Sequence, residues 1–216
     1  MIKNNNIKLI KICGLTDPET ALVCAQAGAD AIGLVFYRKS PRNVSDEIAL
    51  TICQDLPDKI ITTGVFVNEN FNFIMEKVRK CSLKAVQLHG NEKPKLIADL
   101  KAEGLIVIKG IFANKEPFFK QANLYKNASY LLAECGKGVL PGGNAKAWNW
   151  QEISRIDTKL PIILAGGLDP SSIHKVKNQV NVAGFDVSSG VESSPGIKDI
   201  KKVVNFIKNT RSSPSR

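Results

Sequence analysis

Short apolar runs alternate with longer amphipathic runs eight times along the 216-residue chain, and this alternation constrains the fold more than any other feature. The apolar runs read as strands at 7–13, 30–36, 60–67, 84–88, 105–109, 129–133, 160–165 and 183–187. Between them lie segments with helical signals. Asp17 and Pro18 open one that stops at Gly28, and Ser45 or Asp46 caps one that runs to residue 56. Further helices are expected at 70–80, 92–101, 115–125, 170–177 and 197–208, with a short one near Trp150 behind a glycine-rich loop at 134–149. Strands separated by helices run parallel, because each crossover returns the chain to the same edge. Eight such units predict an α/β chain folded as one closed (β/α)₈ barrel over residues 1–209, with 210–216 as a frayed, disordered tail. A doubly wound open sheet is the second architecture. No linker or compositional shift divides the chain.

The fold class directs attention to the C-terminal ends of the strands, where barrels carry their functional loops. Polar residues and glycines concentrate there. Gly166-Gly167 follows the seventh strand and Ser188-Ser189-Gly190 the eighth. Glycines let backbone N–H groups approach an anion, and loops in these two positions are the phosphate site of phosphosugar barrels. A helix N-terminus at the second loop would add partial positive charge. Tight-turn glycines with capping serines are the plainer reading of either loop alone. Cys13 ends the first strand, and alternation puts Lys11 on the same face. A nearby ammonium favours the thiolate, which acts as base or nucleophile. Asp186, near the end of the eighth strand, is expected to pair with Lys11, since each would otherwise be costly to bury, and both are expected to bind substrate. Arg42, in the loop after the second strand, can grip a carboxylate with two parallel hydrogen bonds. His89 ends the fourth strand and is placed either to touch a ligand or to serve as a structural histidine, whereas His174 reads as surface.

Composition narrows the partners. The longest apolar run, 31–37, is far short of the roughly 20 residues of a membrane helix, and no apolar signal segment follows the N-terminus. The five cysteines are odd in number and form no C-x-x-C pair, so neither a disulfide framework nor a zinc site is expected. These features predict a cytoplasmic chain without a metal. The net charge of +10 suits nucleic acid or an anionic small molecule. Aromatics are only 6% and do not interleave with basic residues, which favours the small molecule over nucleic acid.

The runs Lys11-Ile12-Cys13-Gly14, Ser40-Pro41-Arg42, Gly64-Val65-Phe66-Val67-Asn68, Val86-Gln87-Leu88-His89-Gly90, Leu164-Ala165-Gly166-Gly167-Leu168 and Asp186-Val187-Ser188-Ser189-Gly190-Val191-Glu192 resemble those of phosphoribosylanthranilate isomerases, in that family's order and over nearly the whole chain. The resemblance implies a (β/α)₈ barrel without metal or organic cofactor. It implies an Amadori rearrangement of N-(5-phosphoribosyl)anthranilate to 1-(2-carboxyphenylamino)-1-deoxyribulose 5-phosphate in tryptophan biosynthesis. The partner is then the phosphoribosyl substrate, and the assembly a monomer or homodimer. It also implies that Cys13 is the base, that Arg42 holds the anthranilate carboxylate, and that the two late loops hold the phosphate.

One position departs. The family's general acid is an aspartate at the end of the sixth strand, and here Ala133 follows Leu131-Leu132. The family's Gly-Gly-Thr-Gly-Lys pattern reads Gly142-Gly143-Asn144-Ala145-Lys146, and its Phe-Asp-Trp reads Trp148-Asn149-Trp150. Glu134 is the only carboxylate between Ala133 and Glu152 and is the candidate for a displaced acid. With Ala133 taken as inward, alternation turns Glu134 away from the axis, so a bulge or bend is needed to bring it back. Cys135, which shares the parity of Ala133, is the second candidate. The alternative function is a slow or non-catalytic barrel that binds a phosphorylated ligand.

Overall fold

A computed structural model describes residues 9–136 and 148–212. Its eight parallel strands close into one barrel in sequence order. They are β1 (Leu9–Cys13), β2 (Ala31–Val35), β3 (Ile61–Phe66), β4 (Ala85–Leu88), β5 (Ile106–Phe112), β6 (Tyr130–Glu134), β7 (Ile162–Ala165) and β8 (Gly184–Val187). Closure is between β1 and β8, with Lys11 level with Asp186. The open-sheet alternative is therefore not realised. Helices α1 (Pro18–Gln26), α2 (Asp46–Asp55), α3 (Phe71–Cys81), α4 (Pro94–Ala102), α5 (Ile173–Gln179) and α6 (Ile200–Arg211) pack outside. None of the described helices is long and apolar enough to cross a membrane.

The caps explain where several helices start. Asp17 accepts a hydrogen bond from Thr20 N at 2.7 Å, Ser45 from Ile48 N at 3.3 Å and Asn70 from Phe73 N at 3.0 Å. Alternation along each strand divides the apolar residues into two layers. Ile10, Ile12, Leu131 and Ala133 join the outer core against the helices, with Ala21, Ile52 and Phe206. Leu9, Ala31, Ile108, Leu132 and Ile163 fill the barrel axis. Above them Cys13, Val35 and Val65 form a third group at the mouth.

Two crossovers differ from the sequence expectation. The fifth, expected as a helix over 115–125, is a 3₁₀ helix, Phe119–Tyr125. Pro117 lacks a backbone donor and disfavours helix at the residue before it, so the helix begins only beyond it. The sixth is the 3₁₀ helix Trp150–Arg155. Beyond β8 the chain makes a 3₁₀ turn, Ser189–Val191, and then a small hairpin, β9 (Glu192–Ser194) with β10 (Ile197–Lys198). The last helix therefore starts at Ile200, not at residue 197, and it runs to Arg211. The turn signal Pro195-Gly196 was present in the sequence, and Gly196 supplies the positive φ of +87° that the turn needs. The strand residues expected at 7 and 8, the Gly142–Lys146 stretch and residues 213–216 lie outside the described residues.

Candidate active site

The C-terminal ends of the strands surround one pocket, and its lining brings together Cys13, Arg42, His89, Glu134 and Asp186. The two late loops complete it with Gly166, Gly167, Ser188, Ser189 and Gly190. Leaving aside Cys135, the second candidate for the acid, ten of the eleven site residues expected from sequence thus meet at one mouth. The exception is Lys11, expected to bind substrate. It lies fully buried one pleat below Cys13, and its ammonium donates to Asp186 Oδ1 at 2.7 Å. Burial alone would lower the Lys11 pKa, but the charges of Asp186 and Cys13 outweigh it and raise it, so the side chain stays charged. Lys11 therefore supports Asp186 and Cys13 from beneath.

Gly33 on β2 makes room for this arrangement. A Cβ there would stand 2.7 Å from Cys13 Sγ and 2.9 Å from Lys11 Nζ. The effect on the thiol differs from the sequence expectation. Burial pushes Cys13 up, and the opposing pull of the Lys11 ammonium does not cancel it, so its pKa lies above the ordinary 9.0. Desolvation wins because the sulfur is enclosed at the junction of β1 and β2.

Glu134 points into the pocket, and the reason corrects the parity argument. Leu132 belongs to the barrel axis and Ala133 to the outer layer, so Glu134 is inward by plain alternation and needs no bulge. It is the last residue of β6, level with Phe112. Its Oε2 lies 3.0 Å from His89 Nε2. Gln87, two residues earlier on the same face of β4, places its Nε2 3.2 Å from His89 Nδ1. His89 also meets the Phe112 ring edge to face at 5.2 Å. Cys135 lies outside the pocket lining, where Asn114 Nδ2 donates to its carbonyl at 2.9 Å and approaches its sulfur at 3.5 Å. Lys115, a residue the sequence reading passed over, stands 4.1 Å over the Phe112 ring.

Arg42 is more tightly held than a free carboxylate clamp. Its Nε and Nη2 donate to the two oxygens of Glu192 at 2.8 and 2.7 Å. Lys198 Nζ donates to the same carboxylate at 2.7 Å and reaches Ser188 O at 3.3 Å. Burial alone would raise the Glu192 carboxyl, but the Arg42 hydrogen bonds and the Lys198 charge together hold it below the ordinary 4.5. The hairpin β9–β10 thus links Arg42 to the loop after β8. Glu192 was read only as the end of the loop after the eighth strand and Lys198 as part of the last helix, so neither was named as a site residue.

The late loops are built for close backbone approach. Gly166 and Gly167 have φ of +85° and +70°. Instead of the expected helix N-terminus, the second loop has only the 3₁₀ turn Ser189–Val191. Two indoles hold the first loop: Trp148 Nε1 donates to Ala165 O at 3.2 Å and Trp150 Nε1 to Gly166 O at 3.1 Å. Gly190 packs against that loop so closely that a Cβ would fall 1.8 Å from Leu168 O. Gly190→Ala is therefore expected to cost about 3 kcal/mol or more, beyond ordinary overpacking, and to lower Tm by about 6–12 °C. It is also expected to raise KM for a phosphorylated substrate. Differential scanning fluorimetry and steady-state kinetics check this, and a variant with unchanged Tm would refute the close packing of the two loops.

Among the described residues no three His, Cys, Asp or Glu side chains cluster as they would around a metal ion. Comparison with known proteins adds a family to this geometry. The model of N-(5′-phosphoribosyl)anthranilate (PRA) isomerase matches residues 10–209. The N-(5′-phosphoribosyl)anthranilate isomerase of Desulfatibacillum aliphaticivorans is 50% identical over 200 residues, covering 93% of this chain and 91% of the relative. The crystal structure of phosphoribosyl anthranilate isomerase from Thermotoga maritima superposes with a TM-score of 0.86 at 37% identity, covering 94% of this chain and 98% of that one. A phosphoribosyl anthranilate isomerase crystallised with reduced 1-(o-carboxyphenylamino)-1-deoxyribulose 5-phosphate gives 0.82 at 36% identity, covering 94% and 97%.

Proposed function

The chain belongs to the family of N-(5′-phosphoribosyl)anthranilate isomerases, and from that membership we propose that its barrel mouth performs the rearrangement with Cys13 as base and Glu134 as acid. It is an isomerase of tryptophan biosynthesis, converting N-(5′-phosphoribosyl)anthranilate to 1-(2-carboxyphenylamino)-1-deoxyribulose 5-phosphate. The observation that carries the residue assignment is the presence of one thiol and two carboxylates in the same pocket as the two glycine loops, of which Asp186 is tied to Lys11 and Glu134 is paired with His89. The phosphate is held by backbone N–H groups at Gly166–Gly167 and Ser188–Gly190. That fixes the sugar across the mouth. Arg42, gripped on one edge by Glu192, offers its remaining nitrogen to the anthranilate carboxylate.

The chemistry needs a proton given and a proton taken. Glu134, as the acid, gives a proton to the ribose ring oxygen, with His89 beside it at 3.0 Å. The bond between C1′ and that oxygen breaks, and the nitrogen lone pair forms an iminium. Cys13 thiolate then takes the proton from C2′, and the C–H electrons neutralise the iminium as an enolamine. Tautomerisation of the enolamine gives the ketone. The iminium also helps its own base, because a positive charge beside the sulfur favours the thiolate at that step. The alternative of a barrel that binds without turnover rested on Ala133, and neither the relatives nor the inward Glu134 favours it. The test is direct: purified protein mixed with N-(5′-phosphoribosyl)anthranilate is expected to consume its anthranilate fluorescence, and absence of turnover would overturn the assignment.

A further inference from the structure

We propose that Lys109 and Glu92, a buried ion pair on the outer wall of the barrel, are positioning residues that hold the His89 turn and through it the proton on Glu134. The inference rests on the reading of Glu134 as the acid. Lys109 lies on β5 between the inward residues Ile108 and Gly110, so its side chain leaves the barrel on the helix side. It is 0% exposed and its partner carboxylate 1%. Its three N–H donors meet three acceptors: Leu88 O at 3.2 Å, Gly90 O at 2.7 Å and Glu92 Oε2 at 2.8 Å. Leu88 and Gly90 are the two residues that flank His89. The other oxygen, Glu92 Oε1, accepts from Gly90 N at 2.9 Å and from Asn68 N at 3.0 Å. Asn68 has a left-handed φ of +58°. One ion pair therefore ties down both carbonyls around His89 and the turn after β3 beside it.

Stability does not account for the pair. Burying two charges costs several kcal/mol per ion, and an apolar pair of similar volume is often as stable or more so. An apolar pair would lack the directed bonds to the His89 turn. His89 Nε2 stands 3.0 Å from Glu134, within hydrogen-bond reach, and a displacement of the His89 turn would take it out of that reach. Misplacement by about 1 Å can cost about 10²-fold in rate.

The test is the double variant Lys109→Met with Glu92→Gln. It removes both charges, keeps the volume and leaves an amide oxygen for the Asn68 and Gly90 N–H groups. It is expected to stay folded and to lose about tenfold or more in kcat, with KM for N-(5′-phosphoribosyl)anthranilate within about threefold. In a His89→Asn background the same pair of changes should cost nothing further, because the pair acts through His89. Glu92→Asp keeps both charges but withdraws the carboxylate from the two N–H groups. It should show the same loss in kcat, and it decides alone if the double variant does not fold. A kcat within about twofold of wild type, a loss confined to KM, or an undiminished loss in the His89→Asn background overturns the proposal. Glu134→Gln separates the two readings. If it is impaired while the pair variants are not, only this inference fails. If it is fully active, the assignment of the acid fails and this inference with it.

Discussion

Glu134→Gln lowers kcat by about 10²–10⁴-fold, the range of a lost general acid, while KM stays within about threefold. The substitution keeps the length and shape of a side chain that is buried at the end of β6 and in contact with His89. It removes only the proton that can be passed to the ring oxygen. Fluorescence progress curves at saturating substrate measure the drop. Turnover within about twofold of wild type would take Glu134 out of the mechanism. The prediction is specific to position 134. Ala133 is 0% exposed and faces the helix layer, so it offers the substrate nothing that substitution could remove.

Cys13→Ala is expected to reduce kcat by a similar span, about 10²–10⁴-fold, because no other side chain on β1 reaches the pocket to take the C2′ proton. Its pH behaviour gives an independent check. Burial raises the thiol pKa above 9.0, so the thiolate is the minor form at neutral pH and its share grows as pH rises. Alkylation by iodoacetamide at Cys13, measured as the difference between wild type and Cys13→Ala, should therefore accelerate with pH and reach its midpoint above 9.0. A midpoint below that value would mean that the Lys11 ammonium dominates burial, the order first expected from sequence. Retention of most of the wild-type kcat in Cys13→Ala would remove the sulfur as base.

How much of this was legible in the sequence varies with the range of the interaction involved. The strand–helix alternation is local, and it placed all eight strands of the barrel within a few residues. The Lys11–Asp186 pair was legible because two inward charges at closing strands have few other partners. The acid was legible as a residue type but not as a direction. Parity along β6 depends on which of Leu131 and Leu132 faces the axis, and two adjacent leucines look alike. Glu192 was in view within a quoted run, yet its partner Arg42 lies 150 residues away, and nothing local connects them. Lys109 and Glu92 were read as ordinary residues of a strand end and a helix start. Only the fold shows that the two meet in a buried space. Gln87 could have been found, since it shares the inward face with His89 two residues on.

The hairpin after β8 also bears on how the chain is made. Lys11 leaves the ribosome 175 residues ahead of Asp186, and Arg42 leaves 150 residues ahead of Glu192. For most of synthesis, two cations destined for burial have no counterion, and a barrel closed at that stage would enclose them uncompensated. The arrival of β8 and the hairpin removes that penalty and completes the pocket in the same stretch of chain. A nascent chain cut short before Asp186 therefore lacks the closing strand, the partner of Lys11 and the second phosphate loop together, so an incompletely made product is inactive and also fails to close.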